Sequence, residues 1–225
     1  MAPSSEKVSE LMSEMDSWRI RETTTVTFQD LDWVLLPEVY PIERSHSSVF
    51  AWQVLQELEP VDSFLEIGCG PGNNVVLAVK AGLCRRATGA DINPNSVESA
   101  QLNADRHGVA DSVKLLVSDV FDALGEEDKF DLIFWNSMPD LDVESTELSV
   151  FERNFFDPGY EAHRRYFSQA RRHLTETGRL MLLFCSNGSI DLLKRTAAEA
   201  GFTSEIIAER GEGHAHWLIE FRDAH

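Results

Sequence analysis

Cysteine is scarce in this chain, positive charge is in deficit, and long apolar runs are missing. The 3 cysteines among 225 residues, Cys69, Cys84 and Cys185, are too few and too scattered for a disulfide framework or a Cys-rich zinc site, so no metal is expected. Lys and Arg number 20 against 38 Asp and Glu, a formal charge of -18 spread along the chain. Such a surface repels phosphate backbones and anionic head groups, so neither nucleic acid nor a membrane is expected as a partner. No stretch approaches the roughly 18 apolar residues of a membrane span, and Met1 to Asp16, with Glu6, Lys7, Glu10 and Glu14, has no apolar block. The expectation is a cytoplasmic protein with one domain of ordinary to large size and a substantial core.

What is present has a clear rhythm. From Val61 onward, apolar runs of strand length alternate with amphipathic segments of helix length, the pattern of a parallel sheet covered on both faces, so the fold class is α/β. Buried strands are predicted at Ser63 to Ile67, Ala87 to Asp91, Val113 to Val117, Phe130 to Trp135 and Arg179 to Phe184. Helices are predicted at Asn73 to Ala81, Pro94 to His107, Pro158 to His173 and Ile190 to Ala200, with Asp157-Pro158 as a start signal. Phe202 to Ala208 and His214 to Phe221 read as a terminal antiparallel hairpin. Before Val61 the pattern is irregular: a helix at Ser5 to Ser17, a strand pair within Thr24 to Leu36, then a helix from Ser45 to Ser48 onward. Residues 1–60 are therefore read as an N-terminal extension or lid on a domain spanning 61–225. Pro139 to Asp157 is a second irregular stretch, acidic and then aromatic, in the place where ligands bind in open α/β sheets.

The chemistry concentrates at strand ends. Leu65-Glu66-Ile67-Gly68-Cys69-Gly70-Pro71-Gly72 closes the first buried strand and opens a helix, so its glycines let backbone N–H groups approach a ligand. Asp91, beside Ile92, ends the second strand 19 positions after Gly72 (91 minus 72), close to the spacing of an acid that accepts from ribose hydroxyls. The loop is G-x-G-x-G, and Glu66 just before it is poorly placed for phosphate and well placed for a cation. A ribose, an ammonium and a sulfonium without phosphate describe S-adenosylmethionine. Asp119 with Val120 ends the third strand, where an acid accepts from an adenine amino group beside an apolar wall.

LEIGCGPG, GADINP, VSDVFD and FDLIFWN resemble the four successive motifs of the class I S-adenosylmethionine-dependent methyltransferases, and the likeness covers roughly Val61 to Phe221. The resemblance implies a Rossmann-like, doubly wound sheet of seven strands with the last antiparallel. It also implies that Gly68, Gly70 and Gly72 cradle the methionine portion, Asp91 the ribose, and Asp119 with Val120 the adenine, with Glu66, Cys69 and Ile92 alongside.

The fourth motif departs from the family. Relatives that methylate amide or ring nitrogens resemble one another in N-P-P-Y, whose Asn side chain and Pro carbonyl hold a planar amino group. This chain reads Asn136-Ser137-Met138-Pro139, so glutamine and nucleobase methylation lose support here. Asn136 binds either the methionine amine or a different acceptor. Candidate catalytic residues are Asn136, Tyr160, Trp135, Phe134 and His46: Phe134 and Trp135 as aromatic faces worth roughly 1 to 2 kcal/mol beside a desolvated sulfonium, Tyr160 or His46 as an optional base. Ser45, His46, Ser47 and Ser48 read equally as a helix cap or as donors to a carboxylate. His214 and His216 read as an exposed hairpin face, and Cys69 as a small residue filling its turn.

The leading expectation is methyl transfer to a small molecule. A second reading makes S-adenosylmethionine the sole substrate, because Phe134, Trp135 and the FDPGYEAHRRYF segment are similar to bacterial azetidine-2-carboxylate synthases, which cyclise it and release methylthioadenosine. A third is a binding module without turnover; the five intact residues Gly68, Gly70, Gly72, Asp91 and Asp119 weigh against it.

Overall fold

The structure, a computed structural model, describes residues 13, 15–137, 148–211 and 215–224. Most of the helix expected at Ser5 to Ser17, the acidic half of the 139–157 stretch and His214 lie outside the described residues. Strands β1 (Thr24–Phe28) and β2 (Leu31–Leu35) form a hairpin of their own, as expected. Strands β3 (Val61–Ile67), β4 (Cys84–Asp91), β5 (Val113–Val117), β6 (Phe130–Asn136), β7 (Leu174–Cys185), β8 (Phe202–Arg210) and β9 (His216–Asp223) form one sheet in the order β5-β4-β3-β6-β7-β9-β8. Pairing is parallel from β5 through β7, and β9 runs antiparallel to both β7 and β8. The seven strands and the antiparallel last strand agree with the sequence reading. Among the described residues no helix is long and apolar enough to cross a membrane.

Among the described residues five α-helices cover the sheet: α1 (His46–Leu55), α2 (Asn73–Lys80), α3 (Pro94–Arg106), α4 (Glu161–Ala170) and α5 (Ile190–Glu199). Side chains along each strand alternate between the faces, so the core has two halves. Phe64, Leu132, Phe134, Met181 and Leu183 pack with Ala51, Val75 and Ala100 of α1 to α3. Leu65, Ile133, Leu180 and Leu182 pack with Tyr166, Phe167 and Leu193 of α4 and α5. Caps follow the sequence: Ser45 accepts from the Ser48 N–H, Asn93 from Asn95 and Ser189 from Leu192.

The helix expected over Pro158 to His173 is divided. Gly159 and Tyr160 both adopt positive φ, +63° and +56°, so Pro158–Tyr160 is a separate 3-10 turn and α4 starts at Glu161. The Asp157 carboxylate reaches past this turn to accept from the N–H groups of Ala162 and His163 at 3.0 and 3.1 Å. The cap was legible; its displacement by one turn was not.

A small aromatic cluster of Met15, Phe151, Phe155 and Phe156, with Trp18 and Tyr40 against it, joins the N-terminal segment to the loop preceding α4. Arg19 lies over the Phe151 ring at 4.8 Å and pairs with Glu38 at 2.5 Å. The β1–β2 hairpin docks on α3 through one buried amide. Asn103 Oδ1 accepts from the Val34 N–H (2.8 Å), while Nδ2 donates to the carbonyls of Val34 (3.0 Å) and Pro71 (2.9 Å). Ser99 Oγ accepts from the Leu36 N–H at 3.0 Å.

Asn103→Ala leaves two carbonyls and one N–H without their partner, so urea denaturation is expected to show a loss of about 2 to 3 kcal/mol, with faster proteolysis before residue 40. A change within about 0.5 kcal/mol would mean that solvent replaces these bonds and the hairpin docks by packing alone.

Candidate functional site

The carboxyl ends of β3, β4 and β6, with the turn that follows β5, open into one cleft with two lobes sharing Gly68, Asn136 and Asn154. The larger, about 860 Å³ including its open mouth, is lined by Asp91, Ile92, Asp119, Val120, Trp135 and Phe155 among others. The smaller is lined by Glu66, the 68–71 loop, Asn74, Ser47 and Ser48. A cleft of this size takes a nucleoside-sized ligand.

The loop after β3 owes its shape to glycine at two points. Gly68 has φ +62°, and a Cβ there would stand 3.1 Å from Trp135 Nε1; Gly72 has φ +82°, and its Cβ would meet that of Ala100 at 2.8 Å. The loop thus lies flat against β6 and α3, and the Gly70 N–H reaches the Asp91 carboxylate at 2.8 Å. The other Asp91 oxygen takes the Asn93 N–H, also at 2.8 Å. The Ser96 hydroxyl is a third donor to this carboxylate, which lines the larger lobe and can accept from a ligand there.

Two buried carboxyls set the electrostatics. Burial pushes the Glu66 carboxyl up to about 8; the hydrogen bond from Asn74 Nδ2 (2.6 Å) opposes this, and the Asp91 charge adds to it. Burial likewise raises Asp91 to about 6, against the N–H groups of Asn93 and Gly70. Among the described residues, Glu66 Oε2 and Asn136 Oδ1 are buried without a hydrogen-bond partner. An orphaned carboxylate oxygen beside a second carboxyl is a seat for a cationic ligand, and the residues present fit S-adenosylmethionine. Among the described residues no group of three or more His, Cys, Asp and Glu side chains is arranged to hold a metal.

The structure separates the expected residues. Gly68, Asp91, Ile92, Asp119, Val120, Trp135 and Asn136 line the larger lobe, and Glu66, Gly68, Cys69, Gly70 and Asn136 the smaller. Gly72 caps α2 from below the loop. The Cys69 thiol is buried, pushed well above its usual range by burial, and lies where a Cβ on Gly89 would meet it, which suits a turn filler. Asp119 also pairs with Arg165 at 2.7 Å, and Arg165 holds Asp122 at the same distance.

Three catalytic candidates line neither lobe. Phe134 is wholly buried on the α1–α3 side of the sheet, because alternation on β6 sends it into the core. Tyr160 is buried, and its hydroxyl accepts from the Ser189 N–H at 2.7 Å, tying the loop to the start of α5. His46 is exposed and lines neither lobe; Ser45 caps α1, while Ser47 and Ser48 face the cleft.

Sequence reasoning missed Asn74, Arg165 and a chain of three groups in the larger lobe. Ser137 Oγ stands 2.7 Å from His163 Nε2, and His163 Nδ1 stands 2.6 Å from Asp157 Oδ2. The Trp135 ring stacks on His163, centroids 4.6 Å apart. Asp157 and His163 lie six positions apart across an irregular turn and Ser137 lies 26 before His163, so no helical or strand period announces them.

Glu66 and Asp91 bind protons in the folded chain over a pH range where the unfolded chain, with ordinary values of 4.5 and 3.8, has released them. Stability of the ligand-free protein therefore falls as pH rises toward about 8. Glu66→Gln is expected to flatten much of that fall, gaining on the order of 3 kcal/mol over wild type between pH 5 and pH 8.5. Parallel stability–pH curves for the two proteins would show that Glu66 is ionised at neutral pH.

The family described as a methyltransferase domain matches residues 58–221. The release factor glutamine methyltransferase of Geobacter sulfurreducens is 31% identical over 166 residues, 70% of this chain and 57% of that protein. A putative protein N5-glutamine methyltransferase of Methanocaldococcus jannaschii is 31% identical over 179 residues, 77% and 86% of the two chains. Among solved structures, the 16S rRNA N2 G1207 methyltransferase of T. thermophilus with AdoMet and guanosine superposes with a TM-score of 0.61 at 18% identity, covering 91% of this chain and 50% of that one. This chain therefore spans 57% of the length of the first relative and 50% of the rRNA enzyme.

These relatives correct the expectation of a small-molecule acceptor with nucleic acid excluded: the proteins named act on release factors, proteins and rRNA. Net charge averages the whole surface, whereas an acceptor is read at one cleft and its rim. The reading with S-adenosylmethionine as sole substrate falls with it, since each relative is named a methyltransferase. With the glycine loop, the paired carboxyls and the strand order in agreement, the chain belongs to the methyltransferase domain family and has the class I fold, whose cofactor is S-adenosylmethionine.

Proposed function

We propose that this protein transfers a methyl group from S-adenosylmethionine to a side-chain nitrogen of a protein, an amide such as glutamine. The observation that carries the reading is Asn136: it ends β6, belongs to both lobes, and holds a buried Oδ1 without a partner. An amide oxygen so placed accepts from a planar N–H2 and turns the nitrogen lone pair toward the neighbouring lobe. Two relatives named as glutamine methyltransferases, each 31% identical, support the same acceptor. A charge of -18 also favours encounter with a basic protein.

In this reading Glu66 holds the methionine ammonium, Ser47 and Ser48 the carboxylate, Asp91 the ribose hydroxyls, and Asp119 with Val120 the adenine edge. When bound, the cofactor supplies a methyl group on a positive sulfur, open to attack in line by a lone pair. This chain's residues orient and dry the site: Trp135 and Phe155 are its aromatic walls, and residues 1–60 act as the lid. The aromatic cluster of Met15, Phe151, Phe155 and Phe156 supports that last role, since it fastens the extension to the rim.

Purified protein with methyl-labelled S-adenosylmethionine is expected to label release factor or ribosomal protein, with the label lost to protease. Asn136→Ala should lower transfer roughly 100-fold while leaving cofactor affinity within about threefold. Nuclease-sensitive label on RNA would overturn the protein acceptor. Because a cation in the smaller lobe needs Glu66 ionised, cofactor affinity measured by calorimetry should rise between pH 6 and 9 in wild type and stay level in Glu66→Gln. A rise of equal size in both would remove Glu66 from the ammonium site.

A further inference from the structure

We propose that Ser137, His163 and Asp157 form a proton relay at the acceptor end of the cleft, in which His163 Nε2 takes, by way of Ser137 Oγ, the proton that the acceptor nitrogen sheds. It rests on the nitrogen-methylation reading above.

The hydrogen bonds fix where each proton sits. Asp157 already accepts the N–H groups of Ala162 and His163, at 3.0 and 3.1 Å. Burial alone would raise its carboxyl, but the hydrogen bond and charge of His163 and these two N–H groups outweigh it and hold Asp157 below the usual carboxylate range. An ionised carboxylate donates nothing, so the 2.6 Å contact requires the proton on His163 Nδ1. Nε2 is then bare, and across 2.7 Å it must accept from the Ser137 hydroxyl. The hydroxyl oxygen is left as an acceptor next to Asn136, in the lobe that Ser137, His163 and Asp157 all line. The arrangement is that of an activated serine. The titratable groups facing His163 are Asp157 and Tyr160; Ser137, Trp135 and Phe184 from β6 and β7 bring no charge.

The chemistry calls for such a group. An amide nitrogen that forms a new N–C bond with its lone pair becomes cationic and must lose a proton; the electrons of the broken S–C bond stay on sulfur. The N–H pair remains on nitrogen as its proton passes to Ser137 Oγ, the hydroxyl proton passes to Nε2, and the product amide is neutral. The imidazolium then faces the Asp157 carboxylate and returns its proton to water after product leaves. Withdrawing the proton during attack is worth most for a weakly basic amide.

An ordinary structural network would share these distances but not their reactivity. Diisopropyl fluorophosphate, followed by peptide mass spectrometry, is expected to modify Ser137 with loss of fluoride. His163→Asn should slow labelling at least 100-fold and Asp157→Asn at least 10-fold, with cofactor affinity and melting temperature as checks of folding. No modification of Ser137 in the folded wild-type protein, or equal labelling in a folded His163→Asn, overturns the relay. If that variant does not fold, the wild type decides: a proton on Nε2 by ¹⁵N-histidine NMR overturns the proposal, and one on Nδ1 together with modification of Ser137 in the folded protein upholds it. The probe needs neither cofactor nor acceptor, so this result is separate from any failure to find a methylated protein.

Discussion

Two carboxyl groups taken out of water at the ends of adjacent strands, Glu66 on β3 and Asp91 on β4, are the constraint around which the cleft is built. Burying a carboxylate without compensation is unfavourable enough that it protonates or finds donors. Asp91 finds them in the glycine loop and the start of α3, which is why the loop must lie flat and why Gly68 and Gly72 carry no side chain. Glu66 finds Asn74 and a weaker pull from the Val75 N–H, and among the described residues its Oε2 has no hydrogen-bond partner. In the ligand-free protein Glu66 therefore keeps its proton until the pH approaches about 8, and a cation in the smaller lobe favours its release. Strand order, loop conformation and the position of α2 all serve that one arrangement.

Much of this was legible because it is local. The strand rhythm, the glycine loop, Asp91 at its spacing and the serine cap of α1 are written over stretches of a few residues, and the structure has the strands at those places and Ser45 at the cap. Phe134 and Trp135 show where locality ends. Both are aromatic and adjacent, yet the pleat sends one into the core and the other toward the cleft, and a run buried on both faces has no polar alternation to tell them apart. Tyr160 and His46 stand outside the cleft for a similar reason: their placement depends on α5 and on which side of α1 faces solvent.

The acceptor end was the least legible. Asn136 was visible as the remnant of a motif, but Ser137 looked like a loss, a proline gone from its place. In three dimensions the same serine hydroxyl meets an imidazole from α4 and, behind it, a carboxylate from the loop before that helix. The positive φ of Tyr160 makes this possible by delaying the start of α4, so that Asp157 turns back onto both the backbone and the ring of His163. A propensity reading has no means to foresee a helix start set by a strained residue. The small-molecule expectation failed differently: it used an average over the surface to decide a question posed at one rim.

Asn103 has a further consequence. Its single amide binds the hairpin at Val34 and the glycine loop at Pro71, so two segments far apart in sequence share one fixed point on α3. Inheritance should respect that link. A lineage that replaces or loses the hairpin is free to change residue 103 only by finding another partner for the Pro71 carbonyl, so hairpin, residue 103 and loop should vary together across descendants while the strands between them drift independently.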